Sequence, residues 1–241
     1  MAERKIQFAN EEIYHVMIRT IDSINLFRND QDYLRMIHDL FEFNDLNPAP
    51  SIFRVTHHRN KPNVTKQDLV TLGGKLRRKR ELLVEILAFC LMPNHVHLLI
   101  KQRQNKGISK FMQKLGGYAL YYNKKYSRKG HLFQDKFQAV HIKTDEQLQT
   151  VFVYIHTNPI AIIFPAWKEK GIDDFKKAKN FIENYRWSSY PDYLNKENFP
   201  SITSRDFLKE VMGKPKDCQK FVNDWLKYKR EFVDLDYVAM E

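Results

Sequence analysis

Between Leu82 and Ile100 two apolar runs are interrupted only by Pro93-Asn94, and the second run opens His95-Val96-His97-Leu98-Leu99-Ile100. A Pro-Asn pair between two β-like runs reads as a hairpin turn, so the segments are expected to be antiparallel neighbours. Alternate side chains of a strand share a face. Val96, Leu98 and Ile100 therefore point into a core, and both imidazoles stand together on the other side. A core strand has no use for two adjacent polar rings on one face, whereas two imidazoles so placed can share a metal ion. Cys90, in the first run, reads as a core residue.

The flanking segments supply the remaining elements. Glu12 to Ile21 alternates as a strand, with Tyr14, Val16 and Ile18 on one face and His15 and Arg19 on the other. Asp30 to Phe43 has Tyr33, Leu34, Ile37, Leu40 and Phe41 at helical spacing, with Asn29 or Asp30 as cap. Ile108 to Tyr126 reads as a second helix that Gly116-Gly117 weakens or bends. Leu132 to Lys143 reads as a fourth strand carrying Gln134, Lys136 and Gln138 on one face. Thr144-Asp145-Glu146-Gln147 then opens a third helix that Pro159 closes. The order strand, helix, strand, strand, helix, strand is the ferredoxin-like βαββαβ unit of an α+β domain with an antiparallel sheet, followed by one additional helix. The expected division is a domain over residues 1–165, with a basic insertion at about 47–80, and a helical extension over 166–241. The insertion reads as loop over 47–65 and short helix over 66–80. The first part of the extension, to about residue 192, is expected to pack on the domain.

Charge narrows the partners. The chain of 241 residues carries 40 Lys and Arg against 29 Asp and Glu, and the excess is concentrated. Lys101 to Lys143 holds eleven basic residues and one acid, and Arg54 to Arg80 holds nine and one. A concentrated positive field attracts a polyanion, and nucleic acid is the usual one. Two cysteines without Cys-x-x-Cys spacing exclude a disulfide framework and a thiolate zinc site. With neither an apolar run of membrane-spanning length nor the apolar core of a signal peptide, the chain is expected to be cytoplasmic and free of the membrane.

The third helix bears Tyr154 and Asn158, four residues apart and so on one face. Packed over the histidine strand, Asn158 would offer a carbonyl oxygen as a third ligand and Tyr154 would aim its phenol at whatever the metal holds. A phenol is a poor nucleophile at neutral pH, with a pKa near ~10, but a usable one beside a cation and a polarised phosphate. Arg19 would reach a phosphate from the first strand. Lys124, Lys125, Arg128, Lys129 and Lys136 would bind a nucleic-acid backbone.

Pro93-Asn94-His95-Val96-His97-Leu98-Leu99 resembles the histidine–hydrophobic–histidine (HUH) motif of single-tyrosine nucleases and transposases. Three further segments occur in the order seen in the REP-associated and insertion-sequence-200-like transposases. They are Gly130-His131-Leu132-Phe133-Gln134-Asp135-Lys136-Phe137, Tyr154-Ile155-His156-Thr157-Asn158-Pro159-Ile160 and Trp187-Ser188-Ser189-Tyr190. The resemblance implies that His95 and His97 bind Mg2+ or Mn2+, with Asn158 as candidate third ligand. It implies that Tyr154 attacks single-stranded or hairpin DNA to leave a 5′-phosphotyrosyl link and a free 3′-hydroxyl. It also implies a monomer or a homodimer with shared sites. Trp187-Ser188-Ser189-Tyr190 reads as a packing clasp. Beyond Tyr190 no chemistry is legible, and deleting Tyr193–Glu241 is expected to weaken or redirect DNA binding and spare nicking of a good site. The alternative is a non-catalytic nucleic-acid-binding protein derived from such a transposase. A hydrolase of small substrates would leave the basic segments unexplained.

Overall fold

The computed structural model describes residues 6–48, 80–134 and 136–228. Four strands, β1 (Ile13–Arg19), β2 (Val84–Met92), β3 (His95–Gln102) and β4 (Gln138–Ile142), form one sheet in the order β2-β3-β1-β4. Every pair is antiparallel. This is the ferredoxin-like α+β arrangement that the element order predicts. Pro93-Asn94 makes the two-residue turn, and Met92 faces His95 across it.

Helix α1 (Asp30–Glu42) starts where the Asn29 side chain accepts from the Asp32 amide. The helix expected over 108–126 is two: α2 (Gly107–Leu115) and α3 (Tyr118–Lys125). At Gly116-Gly117 the bonds tighten, Gly117 N–H going to Lys114 O and Ala119 N–H to Gly116 O. A Cβ on Gly117 would lie 2.9 Å from the Lys114 carbonyl oxygen, so the break depends on glycine there. Helices α1 to α3 cover the face bearing Val96, Leu98, Ile100, Val16 and Phe89.

The fourth strand is shorter than expected. Before β4 begins at Gln138 the chain makes a single bridge to β1's continuation, Phe133 to Thr20, among the described residues. The two chains fall out of step here: Met17 is opposite Gln138 and Thr20 meets Phe133, so two residues of β1 lie between contacts that four residues separate on the other chain. Lys136 therefore sits on an exposed connection rather than on the sheet. The expected loop 47–65 and helix 66–80 fall largely outside the described residues.

Helix α4 (Asp145–Thr157) lies on the opposite face, capped by Thr144, whose hydroxyl accepts from the Gln147 amide. Its Leu148, Val151, Phe152 and Ile155 share one core with Cys90, Leu99 and Ile142 of the sheet. Helices α5 (Phe175–Glu183), α6 (Asp206–Met212) and α7 (Pro215–Tyr228) follow. They add Ile182, Leu208, Met212, Cys218 and Val222 to that same core.

β2 is an edge strand, and the chain after Tyr185 covers its open side. Leu91 N–H donates to Trp187 O, Ser189 N–H to Phe89 O and Ser204 N–H to Ile86 O. Phe89 N–H donates to Ser189 Oγ, while Tyr185 and Tyr193 hydroxyls donate to Leu91 O and Leu87 O. An edge so covered offers no template for pairing with another chain. Among the described residues no helix is long and apolar enough to cross a membrane.

Candidate active site

Register decides which side chains meet. On β3, His95 is opposite Arg19 of β1 and Met92 of β2, and His97 is opposite Met17 and Cys90. His95, His97, Arg19 and His15 therefore share the face toward α4. The two imidazoles stand at right angles with ring centroids 4.7 Å apart. His95 is half-buried, and its Nδ1 lies 2.7 Å from Asn94 Oδ1 in the turn. His97 is fully buried, and its Nδ1 lies 3.0 Å from His15 Nε2.

Helix α4 brings Tyr154 over this cluster. Its ring centroid is 5.6 Å from that of His97 and 5.8 Å from that of His15, both edge-on. The apolar residues of α4 fix its rotation, and so does His156. That ring is buried, with Nε2 2.8 Å from Ser189 Oγ in the segment along β2. One turn after Tyr154, Asn158 caps the helix and is almost fully buried. Lys168, on the single turn Trp167–Lys170, places its ammonium 5.5 Å from the centre of the Tyr154 ring.

Electrostatics follow from burial and sign. Burial pushes the His97 pKa well below the ordinary histidine value, and the neighbouring His95, His15, Lys168 and Arg19 push the same way. Burial alone lowers His15 to about 3. Both rings are neutral at physiological pH, the state in which an imidazole nitrogen carries a lone pair. His97 Nε2, Asn158 Nδ2 and Arg19 Nε are buried with no hydrogen-bond partner among the described residues. A half-turn of the Asn158 amide exchanges Nδ2 for Oδ1. Two imidazoles and an amide are a donor set that fits a divalent cation. Among the described residues no group of three or more His, Cys, Asp and Glu is arranged to hold a metal.

The residues expected to bind a DNA backbone separate into groups. Arg19 belongs to the cluster. Lys124, Lys129 and Lys136 are exposed. Arg128 donates to Asn123 Oδ1 and Gly130 O. Lys125 is committed elsewhere, its ammonium 2.6 Å from the buried Asp32 carboxylate. That carboxylate also accepts from the hydroxyls of Tyr121 and Tyr126 and from the Arg28 amide. Lys125, Tyr121 and Tyr126 lie on α3 or just beyond it, so the basic helix is in part a structural anchor.

A family model described as "Transposase IS200 like" matches residues 55–158. The similarity to that family covers less than half of the chain. The matched segment includes His95, His97, Tyr154 and, as its last residue, Asn158; it excludes β1 with His15 and Arg19. A search of curated proteins found no match. Among solved structures, one described as the REP-associated tyrosine transposase bound to a REP hairpin aligns at 12% identity. The alignment covers 86% of this chain and 93% of that one, with a TM-score of 0.45.

Sequence reasoning placed His15 on the correct face but gave it no task. Its contact with His97 depends on the β1–β3 register, offset by two residues, which spacing within one strand does not reveal. Lys168 lies beyond the expected domain and has no motif of its own. The role of His156 as a peg between α4 and Ser189 was equally silent, since a histidine beside a candidate nucleophile looks like chemistry.

Proposed function

We propose that this protein nicks and transfers single-stranded or hairpin DNA through a covalent 5′-phosphotyrosine on Tyr154. The observation that carries the reading is the convergence of His95, His97 and Tyr154 from β3 and α4, with the Tyr154 and His97 ring centroids 5.6 Å apart. The surrounding cations favour a phosphate. Arg19 and Lys168 both act electrostatically on His97. The concentrated basic segments of the chain supply the longer-range attraction.

His95, His97 and Asn158 would hold Mg2+ or Mn2+, which when bound polarises a phosphate oxygen and offsets its charge. The Tyr154 phenolic oxygen forms the bond to phosphorus, the bond from phosphorus to the departing 3′ oxygen breaks, and that oxygen takes up a proton as a free 3′-hydroxyl. The phenolic proton leaves Tyr154 for water. The Lys168 ammonium beside the ring stabilises negative charge that develops on the phenolic oxygen. Reversal with a different 3′-hydroxyl rejoins DNA, so one nucleophile serves cleavage and transfer.

A covalent-trapping assay tests the reading. Wild-type protein, Tyr154→Phe and His97→Ala are incubated with labelled single-stranded hairpins drawn from sequence flanking the gene, with Mg2+, Mn2+ or chelator. The expected result is a denaturation-resistant protein–DNA band for wild type with metal only. Shifted but never covalent DNA across hairpins and both metals would replace this reading with a non-catalytic binder.

A further inference from the structure

The sheet divides the cations of the chain between two faces. Helix α3 covers the face bearing Val96 and Leu98, whereas Tyr154 packs on the opposite face with Cys90 and Leu99. A DNA strand bound at Tyr154 therefore needs its contacts on the α4 side. There, three half-buried aromatic rings border one core: Tyr154, Phe164 and Phe175. Each has a lysine ammonium over it. Lys168 lies 5.5 Å from the centre of the Tyr154 ring, Lys177 5.5 Å from that of Phe164 and Lys227 5.3 Å from that of Phe175.

Packed elements join the three pairs. After Asn158 the chain runs on in helical turns, with Ala161 N–H donating to Asn158 O and Phe164 N–H to Ile160 O. At about 1.5 Å per residue, those turns carry Phe164 roughly 9 Å beyond Asn158. The turn Ile160–Ile163 rests on α5, which begins with Phe175 and carries Lys177; α7, which carries Lys227, packs on the same helix. Lys177 and Lys227 are exposed, and among the described residues neither ammonium meets a carboxylate. Lys125 of α3 differs, held as it is by the buried Asp32. The nearby Asp174 is occupied as the cap of α5, accepting from the Lys177 amide at 2.8 Å. Cations beside aromatic rings suit a single strand, which offers a phosphate to the ammonium and a base to the ring.

We propose that the Tyr154–Lys168, Phe164–Lys177 and Phe175–Lys227 pairs form a track for single-stranded DNA, so that the chain after Asn158 guides the strand to Tyr154. The direction of the track rests on the reading of Tyr154 as the nucleophile, but strand binding itself needs neither metal nor a covalent step. Phe164 to Lys227 lies wholly outside the residues matched to the transposase family.

The test uses the full chain, chelator in place of metal, and labelled oligothymidylate of about 16 nucleotides, which forms no hairpin. Lys177→Gln/Lys227→Gln removes two track cations; Lys106→Gln/Lys110→Gln removes two exposed cations at the start of α2, on the other face. Phe164→Leu/Phe175→Leu keeps apolar bulk and removes both rings. For the track lysines, the slope of log affinity against log salt should flatten by about 1.4, two contacts at roughly 0.7 each, while the α2 pair leaves it as in wild type. The ring variant should bind roughly 5-fold or more weakly per lost base, at an unchanged slope. Equal slopes for the two lysine variants, or no binding of oligothymidylate by wild type, would overturn the proposal. So would wild-type affinity in a folded ring variant. The expected slopes without any phosphotyrosine in the trapping assay would defeat the reading of Tyr154 and leave the track standing; a wild-type adduct with unchanged slopes would do the reverse.

Discussion

Replacing Asp32 by Asn should destabilise the fold far more than a one-atom change suggests. One carboxylate oxygen accepts from Lys125 Nζ and the Tyr121 hydroxyl, the other from the Arg28 amide and the Tyr126 hydroxyl. Burial works to raise the Asp32 pKa, but the hydrogen bonds from Lys125, Tyr126, Arg28 and Tyr121 outweigh it and hold the value below the ordinary one. An asparagine has one acceptor oxygen and one NH2. Whichever way it turns, the NH2 meets either the Lys125 ammonium or the Arg28 N–H, and neither can accept. Tyrosine hydroxyls can reverse; those two donors cannot. Hydrogen bonds to a charged group contribute about 1.5–3 kcal/mol, and Lys125 retains some access to water, so the loss should be about 2–4 kcal/mol. Urea unfolding at pH 7 measures it as a lower midpoint at unchanged slope. Because the folded pKa is depressed, the Asp32 contribution is fully present above the unfolded value near ~3.9 and fades as pH falls through the folded one. The wild-type advantage over Asp32→Asn should therefore shrink in acid. A variant within about 0.5 kcal/mol of wild type at pH 7 would refute the account of this hub.

Other outcomes follow from the same contacts. Ser189→Ala should cost about 1–3 kcal/mol in chemical unfolding, since Phe89 N–H and His156 Nε2 both lose the hydroxyl they meet. His156, lowered to about 3 by burial, binds a proton more readily when unfolded, so its contribution is complete above about pH 6.5 and declines below it. Between pH 7 and pH 5 wild type should lose about 2 kcal/mol more than His156→Gln, and equal losses would contradict the burial argument. Deleting Tyr193–Glu241 should abolish cooperative melting by circular dichroism. The deletion removes Tyr193, Leu208, Met212, Cys218 and Val222 from the core under α4, each of the larger ones worth about 2 kcal/mol against a marginal total. A folded, nicking-competent truncation would show that this part of the core is dispensable.

The sequence exposed some of this molecule and hid the rest for physical reasons. The β2–β3 hairpin was legible because period-two alternation and a Pro-Asn turn are local signals, and the same holds for the caps at Asn29 and Thr144. The overlong fourth strand was not, because the loss of step between the Phe133–Thr20 and Gln138–Met17 contacts depends on alignment with β1, a fact about another segment. The extension beyond Tyr193, whose deletion was expected to spare nicking, adds Leu208, Met212, Cys218 and Val222 to the core under α4, which no motif announces. Residues 187–189, read as a packing clasp, lie along the β2 edge and bind it through backbone N–H and C=O groups, which any residue type supplies, so the pairing itself was not legible. In the candidate site, His95, His97 and Tyr154 were found by spacing within one element. His15 and Lys168 reach the cluster from elsewhere in the fold, and Lys125 looked like a DNA contact until its buried partner came into view.

The central claim is that Tyr154, and no other tyrosine, becomes linked to DNA. The most direct measurement is mass spectrometry of the trapped adduct after nuclease trimming and proteolysis. The account predicts a phosphonucleotide mass on the peptide containing Tyr154, joined through the 5′-phosphate. Attachment to Tyr121, Tyr122 or Tyr126 instead, or an adduct that persists in Tyr154→Phe, would contradict it.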